Sequence, residues 1–89
     1  MRRIEAETLK TNNMNTLKSG AIILVHGWVM LKGLDSDFYK VISQDDYSYT
    51  FAKKNGKKPV CRHYKSDIEG KIACHQRGDN NGIEIIFNG

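Results

Sequence analysis

The segment 47–65 constrains the fold most, because it carries the pattern of an antiparallel hairpin. Residues 47–52 alternate aromatic side chains with small or polar ones, which is the period of two of a half-buried β-strand. Asn55-Gly56 follows, and this pair strongly favours a hairpin connection to a further strand over 60–65. The aromatic side chains that we expect on the buried face are Tyr47, Tyr49 and Phe51.

Shorter β-type patterns occur on both sides of this hairpin. The predicted strands are 21–25, 38–43, 47–52, 60–65, 72–75 and 83–87. Before the fifth strand, Ser66–Gly70 predicts one helical or 3₁₀ turn, with Ser66 as N-cap and Glu69 three residues later. Short strands joined by polar turns predict a mainly-β fold, a small antiparallel barrel of five to six strands.

The 89 residues leave room for one domain. We assign 17–89 to this domain and 1–16 to an N-terminal extension or short helix, because Ile4–Lys10 can form about two helical turns. A domain this small buries only roughly 60–65% of the surface of its unfolded chain. We therefore expect a binding surface rather than a deep substrate cavity.

The order of these elements resembles that of the SH3-like barrels over residues 17–76, where a long loop joins strands one and two and a 3₁₀ turn precedes strand five. A second likeness is to Sm-like RNA-binding proteins, which place a short helix before such a barrel. The stretch from His26-Gly27 to Lys32-Gly33 and the pair Tyr64-Lys65 are similar to theirs. The short chain, rich in Asn, Lys and aromatic residues, is also similar to accessory proteins of phages and prophages.

Composition excludes several classes of protein. The longest apolar stretches, 21–25 and 28–31, are too short for a bilayer core that needs about 20 residues. Glu5 and Glu7 follow the N-terminal arginines, so no secretory signal is predicted. Two cysteines are too few for a disulfide scaffold, and a reducing, cytoplasmic location is the expectation.

The positive charge of the chain is concentrated in one segment. The net charge is +4, yet residues 51–65 hold six basic residues and no acidic one, so the remainder of the chain is slightly negative. The basic residues of this segment are Lys53, Lys54, Lys57, Lys58, Arg62 and Lys65. Such a cluster on one hairpin predicts a directed contact with a polyanion.

This cluster supports two interpretations of function. In the first, the basic hairpin at 53–58 contacts the phosphates of RNA or DNA, with Arg62 and Lys65 on its flank and Tyr64 as a stacking side chain, Tyr49 being the weaker candidate. In the second, the hairpin of a phage-type inhibitor or adaptor binds an acidic surface of a host protein. Lysines at a hairpin tip also occur as a solvated edge that resists aggregation, so the pattern alone leaves the partner open.

A second cluster of side chains suggests a metal site. Cys61 and His63 share a strand face, and Cys74 and His75 follow on the predicted fifth strand, so a zinc-stabilised interaction domain is a third interpretation. Their spacing matches no zinc ribbon or finger. Free thiols and half-exposed histidines explain the same residues, and no metal or other cofactor is predicted.

The remaining residues predict a non-enzymatic protein. Residues 61 and 63 lie side by side on a strand, where a thiol and an imidazole seldom meet, and the paired aspartates fall in turns where they cap the backbone. Trp28 is expected as a core anchor, with an interface hot spot as the alternative, and His26 as a satisfied barrel histidine rather than a ligand. Edge strands near Pro59 and at 83–87 predict a homodimer through sheet extension.

Overall fold

The computed structural model describes residues 15–89, which form one antiparallel sheet and one helix. The mainly-β class is confirmed. The predicted helix at Ile4–Lys10 lies outside the described residues. The elements are β1 (Ile22–His26), β2 (Phe38–Gln44), β3 (Ser48–Lys53), β4 (Cys61–Tyr64), α1 (Lys65–Gln76) and β5 (Gly82–Phe87).

The five strands lie in the order β4-β3-β2-β1-β5, and every pair is antiparallel. The first four strands form a meander, and β5 returns to pair with β1. The described strands do not close into a barrel, because β4 and β5 lie at opposite edges of the sheet. Helix α1 connects these two edge strands and packs against both of them. The core therefore lies between the sheet and a helix that bridges its edges.

The predicted fifth strand at 72–75 is wrong, because these residues belong to α1. The predicted turn at 66–70 is the first part of the same helix. Ile68 and Ile72, four residues apart, lie on one helical face and are both fully buried. That burial outweighs the β-favouring composition of the segment and the glycine at position 70.

The two ends of α1 also differ from the predicted cap. The N-cap is Tyr64, which makes no side-chain capping bond, and Ser66 lies inside the first turn. At the other end, Arg77 donates its backbone N–H to the carbonyls of Ala73 and Cys74. Gly78 adopts a φ of +97° and donates its N–H to His75, so glycine ends the helix in the left-handed region.

Tyr49 and Phe51 lie in the core, as the alternation predicts, and each is fully buried. Tyr47 does not: it precedes β3 and is mostly exposed. The Tyr49 hydroxyl accepts a hydrogen bond from the Leu17 N–H and donates one to Glu69 Oε2, each at 3.0 Å. One side chain thus ties the start of the domain and α1 to the centre of the sheet.

The other large buried side chains come from β1, β2, α1, β5 and the segments outside the strands and the helix. They are Leu17, Ile23, Val25, Val29, Leu34, Tyr39, Val41, Ile68, Ile72 and Ile83. Among the residues that the structure describes, no helix is long and apolar enough to span a membrane.

Replacing Tyr49 with Phe should lower the free energy of unfolding by about 1–3 kcal/mol, because the buried Leu17 N–H loses its acceptor. Burial raises the pKa of Tyr49 to about 12, from an ordinary value of 10.0. The folded protein thus retains this proton while the unfolded chain releases it, so stability falls as pH rises from 10 to 12. Urea denaturation at pH 7 and pH 11 measures both effects.

Between pH 7 and pH 11, Tyr49→Phe should lose less unfolding free energy than the wild type, because it lacks this hydroxyl. Its stability at pH 7 is nevertheless lower than that of the wild type. Equal losses of stability from pH 7 to pH 11 in both proteins would contradict the role assigned to Tyr49.

Candidate nucleic-acid interface

The basic segment folds as the predicted hairpin of β3 and β4. Gly56 donates its N–H to the Lys53 carbonyl, and Val60 donates to the Phe51 carbonyl, each at 2.8 Å. Residues 54–60 form the connection, and β4 pairs with β3 along its whole length. The hairpin therefore holds five of the six predicted basic residues, whereas Lys65 is the first residue of α1, and the surroundings of the six differ.

Lys53 and Lys65 are engaged within the protein. Lys53 Nζ lies 2.7 Å from Asp37 Oδ2 and 5.1 Å from the centre of the Tyr39 ring. This bond lowers the pKa of the Asp37 carboxyl and raises the pKa of the Lys53 ammonium. Lys65 Nζ donates to Gln44 Oε1 at 2.7 Å. The side chains of Lys53 and Lys65 therefore stabilise the fold, and a ligand would have to compete with these contacts.

The cations nearer the hairpin tip remain directed at solvent. Lys54 Nζ lies 5.3 Å from the centre of the Phe38 ring, and both side chains are exposed. Lys57 and Lys58 are exposed and form no hydrogen bond or ion pair with any residue of the described part of the chain. Of the six predicted residues, Lys57, Lys58 and Arg62 present the most accessible charge.

Arg62 and Tyr64 lie on one face of β4, because residues two apart on a strand point the same way. Both are exposed, Tyr64 by 65%. With Ser48, His63 and Asp67 they line an open groove of about 360 Å³. The predicted stacking residue therefore stands beside an exposed guanidinium group.

Trp28 is not the core anchor that the sequence predicts, because its side chain is 75% exposed. Gly27, with a φ of +65°, turns the chain out of β1, and a Cβ there would lie 1.9 Å from Asn81 Oδ1. Val29 takes the buried position, while Met30 on its other side is 70% exposed. Residues 28–31 are all apolar, so the sequence carries no signal for which of these side chains is buried.

The segment that carries Trp28 packs against β4. His63 Nε2 lies 2.7 Å from the Lys32 carbonyl oxygen. A Cβ on Gly33 would lie 2.7 Å from the Cys61 Cβ, so only glycine allows this approach. The segment therefore contacts the edge strand β4 of the hairpin. Local sequence patterns do not indicate this contact.

Two further open grooves follow this contact. One, of about 310 Å³, runs from Trp28 to Asp35, and the other, of about 550 Å³, lies between Lys32-Gly33 and residues 60–63. They share Lys32 and Gly33, and Arg62 joins the second to the groove beside Tyr64. We call these three adjoining grooves, which meet at the edge strand β4, the Trp28–Tyr64 surface, defined by Trp28, Lys32, Arg62 and Tyr64.

Comparison with protein-family models, curated proteins and solved structures finds no match to this chain. Functional inference therefore depends on the geometry of the chain itself.

The structure does not unite the four predicted metal candidates. Cys61 and His63 lie on β4, whereas Cys74 and His75 lie near the end of α1, because 72–75 is helical rather than a strand paired with β4. Both cysteines are free thiols. Among the described residues, the group that brings three ligand-type side chains together is His26, His75 and Glu84.

The Cys61 thiol should react slowly with iodoacetamide in the folded protein. Burial raises the pKa of Cys61 to about 11, from an ordinary value of 9.0, so the reactive thiolate at pH 8 is about 100-fold rarer than in the unfolded chain. Peptide mapping after timed alkylation, with and without urea, measures this ratio. Equal rates in both conditions would show that the thiol is accessible and ionised.

Proposed function

We propose that this chain is a non-catalytic binding module that contacts single-stranded RNA or DNA through the basic hairpin and the Trp28–Tyr64 surface. The observation that carries the proposal is the exposure of Trp28 and Tyr64 in the two outer grooves of three that share lining residues. Exposed aromatic rings with cations between them suit unpaired bases and their phosphates.

The charges along the Trp28–Tyr64 surface favour the phosphate backbone of a bound nucleic acid at the centre of this surface. The middle groove carries Lys32 and Arg62, and no acidic residue is among its lining residues. Asp35 and Asp67 line only the outer grooves, beside Trp28 and Tyr64 respectively. A strand that stacks a base at each end would thus place the intervening phosphates beside the two cations.

The open grooves suit a binding role better than a catalytic one. They lie on the surface, and the thiol that borders the middle groove, Cys61, is held in its protonated, weakly nucleophilic form. Recognition by stacking and phosphate contacts is only weakly selective for sequence. We therefore expect short oligonucleotides of mixed sequence to bind.

Charge reversal at the hairpin tip tests the phosphate contacts. Lys57→Glu with Lys58→Glu should weaken binding of a fluorescent single-stranded oligonucleotide. It should also lower the magnitude of the salt slope by about 1.4, which corresponds to two phosphate contacts on a single strand. Fluorescence anisotropy from 50 to 200 mM salt measures both quantities.

The matched control is Lys18→Glu with Lys71→Glu, which changes the net charge equally at two lysines that line none of the three grooves. Equal losses in the two double variants would indicate general charge attraction rather than a directed interface. If the wild type binds no oligonucleotide but captures an acidic protein through Lys57 and Lys58, the inhibitor or adaptor hypothesis replaces this one.

Removal of the exposed rings tests stacking separately. Trp28→Ala and Tyr64→Ala should each raise the Kd roughly 5- to 150-fold while leaving the salt slope unchanged. Trp28 is the single tryptophan of the chain, so quenching of its fluorescence on binding reports contact directly in the wild type and in Tyr64→Ala.

Phe87→Ala is the control for loss of an exposed ring, because Phe87 is 55% exposed and lines none of the three grooves. A saturable complex that leaves Trp28 fluorescence unchanged would exclude this tryptophan from the interface.

A further inference from the structure

Three ligand-type side chains meet where β1, β5 and α1 come together. His26 ends β1, Glu84 lies on β5, and His75 lies in the last turn of α1. His26 pairs with Gly82 and Leu24 with Glu84, so His26 and Glu84 lie two positions apart on one face of the sheet. This arrangement shares no residue with the Trp28–Tyr64 surface.

Gly82 brings the helix close enough to add the third side chain. A Cβ at this position would lie 2.9 Å from the backbone nitrogen of His75 and 3.0 Å from the Lys71 carbonyl oxygen. Any larger residue at position 82 would push α1 away from β5. The glycine thus holds the His75 imidazole beside His26 and Glu84.

The distances within this group approach those of a metal-binding set. His26 Nε2 lies 2.8 Å from Glu84 Oε1, and His75 Nε2 lies 3.9 Å from the same oxygen. All three ligand atoms lie within 4.8 Å of one another. Around a tetrahedral zinc ion with bonds of about 2.0–2.1 Å, neighbouring ligand atoms are about 3.3 Å apart. To bind one ion, the two imidazoles would have to rotate out of their nearly parallel stacking, and His26 Nε2 would have to separate from Glu84 Oε1.

His75 presents Nε2 to this group. Among the described residues neither of its ring nitrogens has a hydrogen-bond partner: Nδ1 is buried, and Nε2 lies 3.9 Å from Glu84 Oε1, too far for a hydrogen bond. Its ring is stacked on that of His26, with centroids 4.7 Å apart and planes inclined by 10°. An ion could use the Nε2 lone pair, with the ring proton then on the buried Nδ1.

A His26–Glu84 ion pair alone accounts for only part of this arrangement. It explains why His26 Nε2 meets the carboxylate, but not why a second imidazole with an unpaired nitrogen is held against both groups. Two imidazoles and one carboxylate are the donors that zinc and similar divalent transition ions favour. The three side chains remain about one-third exposed, so an ion can enter from solvent.

We propose that His26, His75 and Glu84 bind one divalent transition-metal ion, with zinc as the probe and water completing the coordination. The bound ion joins the end of β1, the centre of β5 and the last turn of α1. Since the ligands span 58 residues of sequence, binding to the folded chain stabilises it against the unfolded chain.

The test uses the full chain after treatment with a chelator and its removal. Calorimetric titration with zinc chloride should give a stoichiometry near one. Zinc at about 100 times the Kd should raise the Tm by about 10 °C. His26→Gln, His75→Gln and Glu84→Gln should each weaken binding at least tenfold and remove most of the rise in Tm. Thermal unfolding in chelator shows whether each variant is folded before zinc is added.

The matched control is His63→Gln, which removes the third histidine of the chain and should leave zinc affinity unchanged. Cobalt substitution provides a second readout: nitrogen and oxygen ligands give visible absorption without the intense near-ultraviolet bands of a thiolate ligand. The proposal is overturned if the wild type shows no saturable zinc binding, if His75→Gln or His26→Gln binds like the wild type, or if cobalt reports thiolate ligation.

Discussion

The packing of α1 against both edge strands is the contact on which the rest of this structure depends. Ile68 and Ile72 bring the apolar face of the helix into the core, where Ile23 and Ile83 would otherwise be open to solvent. A five-stranded open sheet of this size has no second sheet to cover its apolar residues. Among the described residues, helix α1 supplies that cover, and it packs against both β4 and β5.

The same contact decides which positive charges remain accessible. Because β4 ends at Tyr64 and α1 begins at the next residue, Lys65 is held at the junction, with its N–H 2.7 Å from the Tyr47 carbonyl oxygen and its ammonium on Gln44. Lys53 is likewise held by Asp37. A count of basic residues over 51–65 therefore overstates the charge that the hairpin can offer to a ligand. The available charge lies at the tip and on the outer face of β4.

Local patterns predicted the elements whose stability is local. The alternation of Tyr47, Tyr49 and Phe51, followed by Asn55-Gly56, correctly predicted the hairpin and the burial of Tyr49 and Phe51, whereas Tyr47 is exposed. The same approach failed at 72–75, where side chains typical of a strand are helical because Ile68 and Ile72 share a buried face. It failed again at Trp28, where a left-handed glycine turns the chain outward. In both places a tertiary contact decides the structure.

The success of the sequence in predicting candidate sites likewise depends on whether their residues are close or distant in the chain. The sequence indicated Cys61 and His63 as metal candidates because they are close in the chain. The helical conformation of 72–75, however, keeps them apart from Cys74 and His75. His26 and Glu84 are separated by 58 residues and meet only because β5 returns to pair with β1. Ligand sets built on antiparallel pairing between the start and the end of a chain leave no spacing signature. In a domain whose last strand completes its sheet, such sets emerge only once the topology is known.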